Sequence, residues 1–166
     1  PFVLSLIEAA ITISKKQISL EIVSEIIAIG KEMLQMPVEL IDGIEATLAH
    51  LSKKYLLVMA TKGDLLDQER KLIKSGLEKY FHHIEVMSDK QPENYQKLIT
   101  HLDITPSQFL MVGNSLKSDV LPVLEIGSYA IHIPFHTTWE HEKVEEEVMH
   151  YNFKELKLAS ELIDLL

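Results

Sequence analysis

Apolar residues in the first part of the chain recur at three- and four-residue spacing. From about residue 43 they gather instead into short continuous runs separated by further helical patterns. Ile22, Val23, Ile26, Ile27, Gly30, Met33 and Leu34 mark one helix face, and Ser19 stands where an N-cap is expected. Residues 2–34 therefore read as wholly helical. Pro37 ends that region and Asp42-Gly43 marks a turn. Residues 1–36 form a helical pair, and residues 37–166 form a second unit.

Within the second unit helices alternate with apolar strands. Ile44, Thr47, Leu48 and Leu51 make one helix face, and residues 55–60 form a continuous strand. Residues 64–75 predict a helix with Leu65, Leu66, Leu72 and Ile73 inward, closed by Gly76. Residues 84–87 predict a strand. Pro92 opens a helix carrying Tyr95, Leu98, Ile99 and Leu102, proline being tolerated in a first turn. Residues 109–112 form a third strand, 119–126 a helix ended by Gly127, 129–133 a fourth strand, 139–149 an acidic helix, and the tail from Ala159 another helix. Continuous apolar strands alternating with helices predict a parallel sheet covered on both faces. The expected class is α/β, a Rossmann-like three-layer α/β/α arrangement.

The length of 166 residues suits one domain with a good core, or one domain with a small cap. The net charge of -9, with no cluster of Lys or Arg, removes the basic face that a nucleic-acid backbone needs. The absence of cysteine excludes disulfides, thiolate catalysis and cysteine-zinc sites, and agrees with a cytoplasmic protein. No apolar run approaches the roughly 18–20 residues of a membrane span. Pro1-Phe-Val-Leu-Ser-Leu-Ile7 lacks the basic leader and cleavage site of a secretory signal. The chain begins with proline and opens directly in helical periodicity, so it reads as the interior of a longer protein.

Candidate chemistry lies at the strand ends. The third strand runs into Phe109-Leu-Met-Val-Gly-Asn-Ser-Leu-Lys-Ser-Asp119, a glycine turn followed by Asn114, Ser115, Ser118 and Asp119. Such oxygen-rich loops suit a hard cation such as Mg²⁺; the same residues could simply start a helix capped by Ser118 or Asp119. The first strand ends in Thr61-Lys62-Gly63-Asp64 and the second in Ser88-Asp89-Lys90. In a parallel sheet these ends share one edge, where ligands bind. A hydroxyl, backbone N–H groups at a helix start and a lysine can hold a phosphoryl group, and a carboxylate can hold the cation that neutralises it. For Lys62 the backbone N–H is the better candidate than the ammonium. His82-His83, His132, His136 and His141 match no zinc spacing and read as surface or core histidines. The run at residues 140–147 reads as a solvated helix face.

In these motifs the chain resembles the haloacid dehalogenase-like hydrolases, a large group of Mg²⁺-dependent aspartyl phosphatases. The likeness covers nearly the whole chain and rests on three ordered motifs: a strand ending in Thr61, Lys90-Gln-Pro92 before a helix, and Gly113-Asn-Ser-Leu-Lys-Ser-Asp119 after an apolar strand. Ala60-Thr-Lys-Gly-Asp-Leu-Leu-Asp-Gln68 and Thr138-Trp-Glu-His-Glu142 resemble a phosphatase-like branch, without an assigned chemical role. The resemblance implies a Rossmann-like core with part of an α-helical cap as a lid, and a small phosphorylated metabolite as substrate. It also implies an aspartyl-phosphate mechanism: one Asp attacks phosphorus, and a second, two residues on, protonates the leaving group and later activates water. Thr61 would bind the transferred phosphoryl oxygen, with Lys62 beside it. Lys90 would balance the charge on nucleophile and phosphate, and Asn114 and Asp119 would hold Mg²⁺.

Two departures stand out. Asn114 replaces the Asp that many members carry. The nucleophile motif, Asp-x-Asp after an apolar strand, is missing: Asp42, Asp64, Asp67, Asp89, Asp103, Asp119 and Asp164 include no pair two residues apart. In the family that motif precedes the cap, on a strand between those that end here at Thr61 and Gly113, so this stretch is expected to be inactive alone. A 2-haloacid dehalogenase and a non-catalytic binding domain of the same fold are the rival readings.

Overall fold

The computed structural model describes residues 2–135 and 147–166. The chain divides into two compact units, Pro1–Glu39 and Leu40–Leu166. The first holds α1 (Phe2–Ile13) and α2 (Leu20–Gln35). Ser19 caps α2, its hydroxyl accepting from the Ile22 N–H. Gly30 is the only buried residue of α2 and lies against Val3, whose methyl a Cβ at Gly30 would overlap. Other apolar positions of the pair are open, Ile13 at 83% and Leu20 at 80% exposure.

The second unit runs α3 (Ile44–Leu51), β1 (Val58–Lys62), α4 (Leu65–Ser75), β2 (His83–Met87), α5 (Pro92–His101), β3 (Leu110–Gly113), α6 (Leu121–Glu125), β4 (Tyr129–His132), β5 (Phe153–Glu155) and α7 (Leu162–Leu165). β1 pairs in parallel with β2; β3, β4 and β5 form a second parallel sheet in that order. Among the described residues β1 and β3 do not pair with each other. The class is the expected Rossmann-like α/β/α arrangement. On one face Met111 and Ala130 pack with Tyr95, Leu98 and Ile99 of α5 and Val123 and Leu124 of α6. On the other, Ile131 packs with Leu51 of α3 and Leu162 of α7, and Leu110 joins them. Neighbouring residues of β3 and of β4 thus enter opposite cores, as the strand period of two requires. Val58 and Ala60 of β1 join the α5–α6 face.

Several boundaries differ from the sequence expectation. The first strand begins at Val58, not at residue 55, because the Lys54 and Tyr55 N–H groups bond back to the Leu51 carbonyl and prolong the turn of α3. The strand then runs through Thr61 and Lys62, opposite Val86 and Met87. In α4 only Leu72 is buried; Leu65, Leu66 and Ile73 are exposed at 51%, 73% and 61%, since the helix lays a single narrow edge on the core. The helix expected from Asp119 starts earlier, as a π turn over Leu116–Val120 capped by Ser115. The tail is a 3₁₀ turn followed by the short α7. β5 lies where no strand was expected. Most of the helix expected at 139–149, the Thr138–Glu142 motif, His136 and His141 lie outside the described residues; 147–149 carry no regular structure. Among the described residues no helix is long and apolar enough to cross a membrane.

Truncation should separate these environments. Leu98→Ala, at a residue 2% exposed, should cost about 2–5 kcal/mol. Leu66→Ala, at 73% exposure, should stay within about 0.5 kcal/mol. Urea unfolding of both variants beside the parent chain measures the contrast.

Candidate active site

A buried ion pair joins the C-terminal ends of the two sheets. Lys90, between β2 and α5, places Nζ 2.6 Å from Asp119 Oδ1, with the side chains 15% and 5% exposed. An ion pair this deep costs both groups their hydration, and removing one partner strands the other. Asp119 is fixed on its other side: Oδ2 accepts the Ser115 N–H at 3.1 Å. The π turn brings this about, with the Asp119 and Val120 N–H groups both directed to the Ser115 carbonyl. Single π turns inside helices occur often at functional sites. Gly113 completes the arrangement, because a Cβ there would fall inside the Asp119 carboxylate. Tyr95 supports the same turn from α5, its hydroxyl donating to the Ser118 carbonyl at 2.9 Å. Burial pushes the phenol's pKa far up, and the negative charge of Asp119 adds to the shift.

The other predicted residues lie around this pair. Lys62 Nζ is 2.7 Å from Asp89 Oδ1, with the two side chains 56% and 49% exposed. The Asp89 carboxylate also accepts the Lys90 N–H at 2.9 Å and the Gln91 amide at 3.3 Å. Its pKa is held below the usual range, first by Lys62, then by the Lys90 N–H and by Gln91. Thr61 is half-buried and its hydroxyl donates to Gln68 Oε1 at 3.1 Å. Asn114 is exposed, and its backbone carbonyl accepts from His132 Nε2 at 3.2 Å. His132 in turn meets Glu155 through Nδ1 at 2.9 Å. The fold therefore brings Lys90 and Asp119 into contact and joins Lys62 to them through Asp89. No hydrogen bond joins Thr61 or Asn114 to that chain among the described residues. Asp119 is a member of the helical turn and not its cap; the cap is Ser115, whose hydroxyl accepts the Ser118 N–H at 3.0 Å.

Sequence reading missed Gln68, Asp89, His132 and Glu155. Asp89 adjoins Lys90 and Gln68 closes the motif that begins at Ala60, so both lay within quoted stretches. His132 and Glu155 meet only through the pairing of β4 with β5.

Among the described residues no three His, Cys, Asp or Glu side chains converge as a metal cluster. Mg²⁺ commonly takes one or two carboxylates and fills its shell with water and phosphate oxygens. Asp119 fits one such position: each carboxylate oxygen keeps a lone pair beyond the N–H bond it accepts. Asn114, exposed in the same loop, carries a neutral amide.

The sequence pattern that defines the haloacid dehalogenase-like hydrolases matches residues 6–127. The chain belongs to that family. It is similar to a haloacid dehalogenase-like hydrolase from Xanthomonas campestris, at 36% identity and a TM-score of 0.87 over 98% of this chain and 69% of that one. The fold is also that of the magnesium-bound HAD-hydrolase YfnB from Bacillus subtilis, at 22% identity and a TM-score of 0.65 over 76% of this chain and 56% of that one. A glyceraldehyde 3-phosphate phosphatase from Pyrococcus furiosus is 23% identical over 130 residues, which is 75% of this chain and 54% of the relative's length.

The two lysines should respond unequally to truncation. Lys90→Ala leaves Asp119 buried without its cation and should cost about 3–5 kcal/mol. Lys62→Ala removes a half-exposed pair and should cost no more than about 1 kcal/mol. Thermal and urea unfolding at low and high salt check both, with only the Lys62 effect fading as salt rises.

Proposed function

We propose that the intact protein is a cytoplasmic, Mg²⁺-dependent phosphatase acting on a small phosphorylated metabolite through an aspartyl-phosphate intermediate. The observation that carries this reading is the buried Lys90–Asp119 pair, 2.6 Å long, where the ends of the two sheets meet. A cation and a carboxylate withdrawn from water side by side suit a site that gathers phosphoryl charge. Support comes from family membership, from the named phosphatase relative and from the magnesium bound by YfnB. The net charge of -9 speaks against nucleic acid as a partner.

The nucleophile and the acid/base Asp are assigned to polypeptide upstream of Pro1, on a strand that pairs with β1 and β3. In the first step a carboxylate oxygen of the nucleophile attacks phosphorus, the bond to the leaving oxygen breaks, and the second Asp gives that oxygen its proton. In the second step this Asp takes a proton from water, whose oxygen attacks phosphorus while the bond from phosphorus to the nucleophile's carboxylate oxygen breaks, releasing inorganic phosphate and the free carboxylate. Thr61 donates to a phosphoryl oxygen, and the backbone N–H groups near Lys62 face another. Lys90 holds positive charge beside the nucleophile and phosphate. Asp119 and Asn114 would supply oxygen to Mg²⁺, which when bound would offset the charge of the phosphoryl oxygens. The helices of residues 2–35 act as part of a lid.

The chain of 166 residues should release no phosphate from p-nitrophenyl phosphate with Mg²⁺, whereas the polypeptide extended upstream should turn over. Robust turnover by the shorter chain would sink the assignment of the nucleophile.

In the extended polypeptide Thr61→Val should lower kcat roughly 10²–10³-fold with little change in melting temperature. Asp119→Asn should raise the Mg²⁺ concentration needed for half-maximal rate. A mutant rate with unchanged Mg²⁺ dependence would remove Asp119 from the metal role.

A further inference from the structure

We infer that Gln68 is the positioning residue for Thr61, and that its side-chain amide reverses when a phosphoryl group enters. This rests on the phosphatase reading above. Gln68 stands on the first turns of α4, where the chain is tightly held: Asp64 accepts the Asp67 N–H through its side chain at 3.1 Å and the Gln68 N–H through its carbonyl at 3.0 Å. From there the amide reaches back to the end of β1. Its oxygen accepts the Thr61 hydroxyl at 3.1 Å. Its nitrogen lies against Gly63, where an added Cβ would stand 3.3 Å away.

A threonine hydroxyl carries one hydrogen and two lone pairs. In this structure the hydrogen is directed at Gln68. A phosphoryl oxygen only accepts, so Thr61 cannot bind it while that hydrogen is committed. Rotation of the amide by half a turn resolves the conflict. The terminal torsion of glutamine is broad and nearly two-fold, so the turn is an accessible one. Gln68 then donates from Nε2 to Thr61 Oγ1, and the Thr61 hydrogen turns to the phosphoryl oxygen. The Thr61–Gln68 hydrogen bond persists with its direction reversed, and a new bond to the substrate forms. Glutamine can play both parts. Glutamate, only an acceptor when ionised, would keep the hydrogen, and leucine would neither hold nor direct the hydroxyl.

The test uses the extended polypeptide with p-nitrophenyl phosphate and Mg²⁺, in wild type, Gln68→Glu, Gln68→Leu, Thr61→Val and the double variant Thr61→Val/Gln68→Glu. Q68E should lose roughly 10²–10³-fold in kcat, the loss expected for withdrawing one donor. Q68L should stay within about tenfold of wild type, since its hydroxyl is undirected but not captured. Adding Q68E to Thr61→Val should cost nothing further, because the hydrogen in dispute is gone. A Q68E penalty that persists in the Thr61→Val background would reduce the effect to charge repulsion and overturn the proposal. So would equal rates for Q68E and Q68L. In either case wild-type turnover leaves the phosphatase reading standing. A wild type that neither turns over nor binds inorganic phosphate in calorimetry defeats that reading, and this one with it.

Discussion

The Lys90–Asp119 ion pair is the constraint around which the candidate site is organised. It links the loop after the β1–β2 sheet to the turn after β3 of the second sheet. Taking both charges out of water is costly, and their attraction repays that cost only when the geometry is good and the remaining lone pairs are met. The neighbourhood is built to that end. Ser115 lends an N–H to the second carboxylate oxygen, the π turn aims Asp119 inward, and Gly113 leaves the volume that the carboxylate fills. Tyr95 braces the turn from the helix that Lys90 precedes. Each of these residues is explained by the pair, and none by local propensity alone.

Much of this fold could be read before any coordinates, and the reason is locality. Ser19, Asp64 and Pro92 signal helix starts through bonds or angles made within one turn, and each stands at the start of a helix. The apolar runs of β3 and β4 signal strands because their alternate residues enter opposite cores. What escaped depends on partners far away in sequence. β5 is three residues long and owes its strand form to pairing with β4. The start of β1 is displaced because the end of α3 claims Lys54 and Tyr55. The apolar pattern of α4 reads as a broad inward face, yet the core takes only Leu72 from it.

The site divides in the same way. Thr61, Lys90 and Asp119 could be singled out because each stands at or shortly past the end of a strand, and Lys90 and Asp119 do meet. Their supporting residues could not, since their value lies in geometry. Gln68 is ordinary in composition until α4 folds back over the end of β1. Asp89 is one carboxylate among many until it takes up both Lys62 and the Lys90 N–H. The cap is Ser115 and not Ser118 or Asp119, because the helical stretch already opens at Leu116 with the π turn.

The bridge from Glu155 through His132 to the Asn114 carbonyl sets a boundary on variation. The chain leaves the sheet after β4 and re-enters at β5, where the Leu156 N–H returns to the His132 carbonyl and the Ala130 N–H to that of Asn152. Departure and return are thus riveted side by side, and the rivet reaches the peptide of Asn114. The loop that carries Asp119 therefore takes its anchorage from the seam between β4 and β5, and a change at Glu155 is felt at the peptide of Asn114.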